Sequence, residues 1–315
     1  MVASVYAQIL LPVFFVIGAG WLFTQLKLDG TDFISVRRAL SALVMNVWYP
    51  ALILTVIPNI EIDFTLLSTA ALYGAGLFTG LLFTVPVVAI MSRQGSPRTD
   101  MAPVILCAAL GNIISIGIPV LQFYYGEKGA AYVISSDFIV VTPFLWTIGI
   151  WICMRFSDHE AFKNGSIWRE VFKLPPIWAF VIAVLANFFN ITVPDGLHKG
   201  FQILGSPTLP GLLLVIGMSL SLKSLYQYRY LALSVTAIKL VLVPLVVFFI
   251  ASQSFISEDA LNAGTLLSGL PTMMAILVLI ERYRLNVELT TSILFATTFI
   301  YIVTLPAWAV FLNPQ

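Results

Sequence analysis

Residues 108–126 read AALGNIISIGIPVLQFYYG. Gly111, Asn112, Ser115, Gly117 and Pro119 crowd into nine positions of an otherwise apolar run. Gly weakens a helix interior, and Pro removes a backbone donor and clashes with the preceding turn. The stretch therefore reads as a hydrophobic helix that carries its own break. Its surroundings decide what such a break is for.

Of the 315 residues, 59% are hydrophobic and 10% are charged, with a mean hydropathy of +0.97. Soluble domains carry roughly 25% charged residues. The chain is expected to be an all-α polytopic membrane protein. A spanning helix needs about 20 mostly apolar residues. Ten segments qualify, near 5–25, 35–57, 66–91, 101–125, 130–154, 175–192, 199–221, 230–252, 258–280 and 288–312. The first lacks a basic leader and runs on to spanning length, so a span is expected there rather than a signal peptide. The two cysteines, Cys107 and Cys153, lie in apolar segments and suggest neither a disulfide framework nor a metal site.

The polar connection after the fifth segment divides the chain into residues 1–157, a linker at 158–174 and residues 175–315. Thirteen of the 16 Lys and Arg residues fall in loops after spans 1, 3, 5, 7 and 9. Only Lys128 and Lys199 fall in the opposite loops, and Lys239 lies inside span 8. By the positive-inside rule, the first set of loops is cytoplasmic and both termini face away from the cytoplasm.

Five spans is an odd number, so a repeat of the first five in the second five would be inverted. NVWYPALILTV (46–56) aligns without gaps on SPTLPGLLLVI (206–216), placing Pro50 on Pro210. GIPV (117–120) aligns on GLPT (269–272), placing Pro119 on Pro271. Gly111, Gly117, Gly269, Pro50 and Pro210 are the expected helix-breaking positions. Inverted repeats with broken helices at matching places mark secondary transporters. Unpaired backbone groups cost several kcal/mol in hydrocarbon, so a break persists only where protein or a watery cavity covers it. Half-helix N-termini then suit an anion.

The same stretches carry a family resemblance. GNIISIGIPVLQFYYG (111–126), LPGLLLVIGMSLSL (209–222), IKLVLVPLV (238–246) and LLSGLPTMMAILVLIERYRLN (266–286) resemble, in order, the fourth, seventh, eighth and ninth spans of the auxin efflux carrier family, here a bacterial member. The resemblance implies a fold similar to bile-acid–sodium symporters: ten helices in two inverted five-helix repeats, with broken helices 4 and 9 crossing. Helices 1, 2, 6 and 7 would form a scaffold, often dimeric, and helices 3, 4, 5, 8, 9 and 10 a transport domain. It also implies organic-anion substrates such as auxin, malate or malonate. The short central loop departs from the long hydrophilic loop of plant auxin exporters and argues against their phosphorylation control.

The resemblance places Asn112 at the substrate carboxylate, with Pro119 and Pro271 shaping the crossing and nearby N–H groups donating. Asn46 and Ser206 precede Pro50 and Pro210 by four residues; they either face substrate or satisfy local carbonyls. Ser268 and Thr272 flank the second break and are weaker substrate candidates. Asp137 is the only acid inside a span, and an intramembrane carboxylate is a functional hypothesis by default. Protonated, it would carry a coupling proton; with Ser135 and Ser136 it would ligate Na⁺. Lys239 is either a counter-charge to Asp137 or the anion, or a snorkelling lysine. No cofactor is expected beyond H⁺ or Na⁺ as a coupling ion. Expected partners are the small organic anion, the bilayer of the bacterial inner membrane and a second copy of the chain, with no nucleic acid. Clustered acids, a Ser/His pair or a metal constellation would mark an intramembrane enzyme, and none is present. A passive anion channel or a transporter-like sensor remains the alternative.

Overall fold

Apolar segments fold as helices in a computed structural model that describes residues 2–26, 32–56, 64–159, 172–189, 191–220 and 222–313. The helices are α1 (Val2–Gln25), α2 (Phe33–Thr55), α3 (Phe64–Arg93), α4 (Met101–Ala109), α5 (Ile113–Tyr125), α6 (Lys128–Phe156), α7 (Pro175–Phe188), α8 (Asp195–Ser219), α9 (Arg229–Ser252), α10 (Glu258–Ser268), α11 (Ile276–Arg282) and α12 (Val287–Leu312). No strand occurs among the described residues, only one isolated antiparallel bridge between Gly111 and Thr272. Helix occupies each segment expected to span. Six of these helices, α2, α3, α6, α8, α9 and α12, are long and apolar enough to cross a membrane. Expected spans 4 and 9 are each split into two short helices, α4/α5 and α10/α11. Lys27, Lys163, Arg169 and most of the 158–174 linker lie outside the described residues.

Helix starts follow ordinary capping chemistry. Ser257 accepts from the Ala260 N–H ahead of Glu258 and Asp259, which suit the positive end of α10. Asn286 Oδ1 accepts from the Leu289 N–H at the start of α12, while its Nδ2 donates to Asp100 and to the Tyr228 hydroxyl. Burial pushes the Asp100 carboxyl above its ordinary range, and the Asn286 donation opposes this. The Arg-rich loops meet at this end of the bundle. Arg98 reaches the Arg155 carbonyl, Ser157 the Tyr283 carbonyl, Ser224 the Glu288 carboxylate and Arg37 the Glu281 carboxylate.

Several helices widen into single π-helical turns, at Val44–Trp48, Ile113–Gly117, Asp137–Val141, Leu145–Gly149 and Ile238–Leu242. Four of them share one cause. Each is centred on the fourth residue before a proline: Asn46 before Pro50, Ser115 before Pro119, Ile139 before Pro143 and Leu240 before Pro244. A proline ring collides with that carbonyl and cannot bond it, so the turn expands. The Leu240 carbonyl freed this way accepts from the Trp308 indole N–H at 2.9 Å. The widened turns hold Asp137 and Lys239.

Packing sorts the helices into two groups. α1 packs on α8, and α2 packs on α7 and α8. In the second group, α3 packs on α4, α6, α9 and α10, while α12 packs on α4, α9 and α11. α3 turns Phe78, Leu82 and Val85 outward and buries Gly76, Thr79 and Thr84. Bulky apolar side chains outside and small or polar ones inside suit a lipid surround. α1 and α8 cross at Gly20 and Gly217, where a Cβ on Gly217 would stand 2.1 Å from the Ile17 carbonyl oxygen. Nothing lies within 4 Å of a Cβ on Gly18. Gly217→Ala should therefore cost about 1–3 kcal/mol through forced overpacking, whereas Gly18→Ala should leave stability unchanged or slightly raised. Thermal unfolding of the two variants in detergent checks the contrast.

Candidate functional site

The two breaks meet, and their backbone accounting is almost closed within the protein. The Asn112 N–H donates to the Pro271 carbonyl at 2.7 Å, and the Met273 N–H donates to the Leu110 carbonyl at 3.0 Å. These two bonds form the Gly111–Thr272 bridge. The Gly111 N–H finds the Tyr73 hydroxyl of α3 at 2.9 Å. The Thr272 N–H donates to Thr297 Oγ1 of α12, and the Thr272 hydroxyl donates to the Cys107 carbonyl. Pro271 has no N–H to satisfy. Every group freed by these breaks would otherwise stay unpaired in hydrocarbon.

Lys239 closes the carbonyl side. Its Nζ donates to Ser268 O at 3.1 Å and Ala109 O at 3.4 Å, the last carbonyls of α10 and α4. An amine donor thus sits where two negative helix ends converge. Gly111 leaves room for it, since a Cβ there would stand 3.3 Å from Nζ. Lys239 is 1% exposed. It neither snorkels nor pairs with Asp137. The only ion pair with both partners among the described residues is Arg37–Glu281.

On the other side of the crossing lies a cavity of about 180 Å³. Tyr49, Leu52 and Ile53 of α2 and Thr208, Leu209 and Leu212 of α8 form one wall. Residues 112–115 and Ile118 of the first break, residues 273–275 of the second, and Ile134 and Asp137 of α6 form the other. The cavity therefore separates the two helix groups. Its lining is mainly apolar, with few polar groups. Asn112 Nδ2 is shielded from solvent and has no hydrogen-bond partner. Asp137 Oδ2 accepts from the Thr142 hydroxyl at 2.8 Å, and Oδ1 has no partner. The first turn of α5 adds N–H groups that no intrahelical carbonyl can take. Two unpartnered polar atoms on residues that line one apolar cavity are costly unless a ligand meets them.

Of the sequence candidates, the structure brings Asn112 and Asp137 to this cavity. Pro119 and Pro271 shape the chain beside it: Pro119 follows the π turn of α5, and the Pro271 carbonyl holds Asn112. Ser268 and Thr272 are occupied at the crossing; the Ser268 hydroxyl bonds the Thr265 carbonyl. Ser135 and Ser136 do not join Asp137. Both hydroxyls bond the Tyr132 carbonyl of their own helix. Asn46 is exposed away from the cavity and donates to the Ala42 carbonyl, while Ser206 donates to the Ile203 carbonyl. Both therefore satisfy local carbonyls. Gly117 lets α5 approach Leu270, and Gly269 lies against Pro244 of α9. Pro50 is buried beside Tyr49, and Pro210 is exposed. Tyr49 is buried in the cavity wall. Tyr73 and Thr297 escaped notice because a lone hydroxyl on an apolar helix has no distinguishing neighbour in sequence. No group of three or more potential metal ligands occurs among the described residues.

Lys239→Met should strand the Ala109 and Ser268 carbonyls, at about 1–3 kcal/mol for each buried acceptor left unpaired. Tyr73→Phe should cost a similar amount for the single Gly111 N–H. Thermal unfolding in detergent should rank the variants wild type, then Tyr73→Phe, then Lys239→Met.

The sequence has relatives of the same kind. An uncharacterized transporter of Methanocaldococcus jannaschii is 27% identical over 207 residues, covering 65% of this chain and 66% of that protein. An uncharacterized transporter of Methanothermobacter thermautotrophicus is 24% identical over 278 residues, covering 87% of this chain and 88% of that protein. Both are transporters by name. The model of a membrane transport protein family matches residues 5–309, nearly the whole length. A broken-helix crossing in a membrane-grade helical chain, with that match over its full span, makes the chain a member of the membrane transport protein family, the auxin efflux carriers.

Proposed function

We propose that this transporter moves a small organic anion, a carboxylate such as malate, malonate or an auxin-like acid, by alternating access. The observation that carries this reading is the unpartnered Asn112 amide at the N-terminal end of α5, inside an apolar cavity between two helix groups. An amide donor and a helix N-terminus both favour a carboxylate over a neutral solute.

In this reading ten segments cross the membrane as two inverted repeats, residues 1–157 and 175–315, joined by a cytoplasmic linker at 158–174. The group of α1, α2, α7 and α8 is the scaffold. The remaining helices form the transport domain, which carries the crossing past the scaffold as an elevator. The protein resides in the cytoplasmic membrane with both termini outside, as a homodimer. A net negative substrate is driven outward by the membrane potential, by about 2.3 kcal/mol per charge at 100 mV. Export therefore runs without coupling, and uptake of a dianion requires a cation. Asp137, facing the cavity, is the site proposed for that proton or Na⁺.

Counterflow in proteoliposomes tests the mechanism. Anion inside should accelerate entry of labelled anion from outside. Open-pore currents without trans-stimulation would instead identify a passive anion channel, and binding without flux a sensor. Asn112→Ala should abolish uptake while the unfolding temperature stays near that of the wild type. Unchanged kinetics would refute its role. Asp137→Asn should flatten the dependence on pH or Na⁺, and a variant that keeps both profiles makes Asp137 structural.

A further inference from the structure

A second cavity, about 650 Å³, opens at the Arg-rich end of the bundle between α2 and α11. It lies on the same seam as the inner cavity. Met45 and Val278 line it, one helical turn from Tyr49 and Ala275 of the inner cavity. Four arginines line it: Arg37, Arg38, Arg282 and Arg284. Of the lining residues only Glu281 carries a carboxylate, and Asp32, outside the lining, acts on Arg38.

Glu281 is held from the opposite helix group. Its Oε1 accepts from Arg37 Nε at 3.0 Å, and its Oε2 from the Ser41 hydroxyl at 2.6 Å. The pair is largely buried, with side chains 16% and 8% exposed. Arg282 Nε is shut away from solvent with no hydrogen-bond partner. The cavity thus holds more guanidinium donors than carboxylate acceptors. Guanidinium forks match carboxylates in geometry as well as charge.

We propose that this vestibule is an anion-docking site that precedes the inner cavity, and that Glu281 occupies it as an internal carboxylate. A di- or tricarboxylate entering from the Arg-rich end takes Arg37 from Glu281 while Arg38, Arg282 and Arg284 hold its remaining charge. Displacing Glu281 also releases a tie between α2 and α11, which belong to different helix groups. The proposal deepens the transporter reading and rests on it for the purpose of that release. The docking itself stands on the cavity and its charge.

The test uses full-length protein carrying Asn112→Ala, so that the inner site is disabled, with malonate as probe in isothermal titration. Malonate should still bind. Adding Glu281→Gln should tighten binding about tenfold, because the internal competitor loses its charge. Adding Arg38→Ala or Arg282→Ala should weaken it tenfold or more, while Lys128→Ala, an exposed residue outside the vestibule, should change nothing. Unfolding temperatures establish that each variant is folded; Arg38, exposed at the rim, keeps the test open if Arg282→Ala does not fold. No malonate binding in the Asn112→Ala background overturns the proposal, as does binding indifferent to Glu281 and Arg38. Phosphatidylglycerol in nanodiscs provides the second arm. If it occupies the arginines and malonate fails to displace it, the vestibule is a lipid headgroup site and the proposal falls. Loss of counterflow with vestibule binding intact would instead count against the transporter reading alone.

Discussion

Two backbone hydrogen bonds organise this protein, Asn112 N–H to the Pro271 carbonyl and Met273 N–H to the Leu110 carbonyl. In water, four open peptide groups would be trivial. In hydrocarbon, each costs several kcal/mol, so the two breaks must be solved together or not at all. Neither break is satisfied by its own helix. Each supplies what the other lacks, and the remainder comes from Tyr73, Thr297 and Lys239 on three further helices. The crossing therefore pulls α3, α9 and α12 around it. It also sorts donors: helix C-termini converge on the Lys239 amine, and the first turn of α5 faces a cavity with open N–H groups. Lys239 supplies the donors that the α4 and α10 carbonyls require, which leaves the other side free to receive an acceptor.

Proline supplies the second constraint. At Pro50, Pro119, Pro143 and Pro244 a π-helical turn is centred four residues earlier. The extra residue in such a turn shifts the helical face that follows. On α6 this places Asp137 at the first position of a widened turn, toward the cavity. On α9 it places Lys239 inside one, toward the crossing. Proline alone does not suffice, since Pro86 and Pro306 sit within α3 and α12 without a π turn.

This explains what the sequence made legible. The all-helical character, the breaks at Gly111–Asn112 and Gly269–Pro271 and the pairing of those breaks were readable, because hydropathy, Gly and Pro act locally. Asn112 and Asp137 stood out because polar groups are rare in such helices. What each polar side chain met was not readable. Ser135 and Ser136 looked like partners of Asp137 by adjacency, yet helical back-bonding to Tyr132 turns them away. Lys239 looked like a counter-ion or a snorkelling base, yet its partners are carbonyls 130 and 29 residues distant in sequence. Tyr49 lies near a span end, where an aromatic belt is the default reading, yet it is buried in the cavity wall. Hydrophobic period and charge are properties of one helix; these contacts belong to several.

The same geometry bears on the coupling ion in the proposed transporter. Two unit negative charges about 5 Å apart repel by about 3 kcal/mol at an effective dielectric constant of about 20, more than a hundredfold in affinity. An ionised Asp137 therefore opposes a carboxylate that reaches Asn112 in a cavity of about 180 Å³. A cation on Asp137 removes that opposition and links the two bindings, each strengthening the other by the same factor. Sodium would need several oxygen ligands. The Ser135 and Ser136 hydroxyls spend their protons on the Tyr132 carbonyl and the Thr142 hydroxyl spends its own on Oδ2, and each oxygen keeps lone pairs. A proton needs only one oxygen, and Oδ1 is free of any partner. In the proposed transporter a proton on Oδ1, or a sodium ion beside it, would lift the opposition to the anion alike.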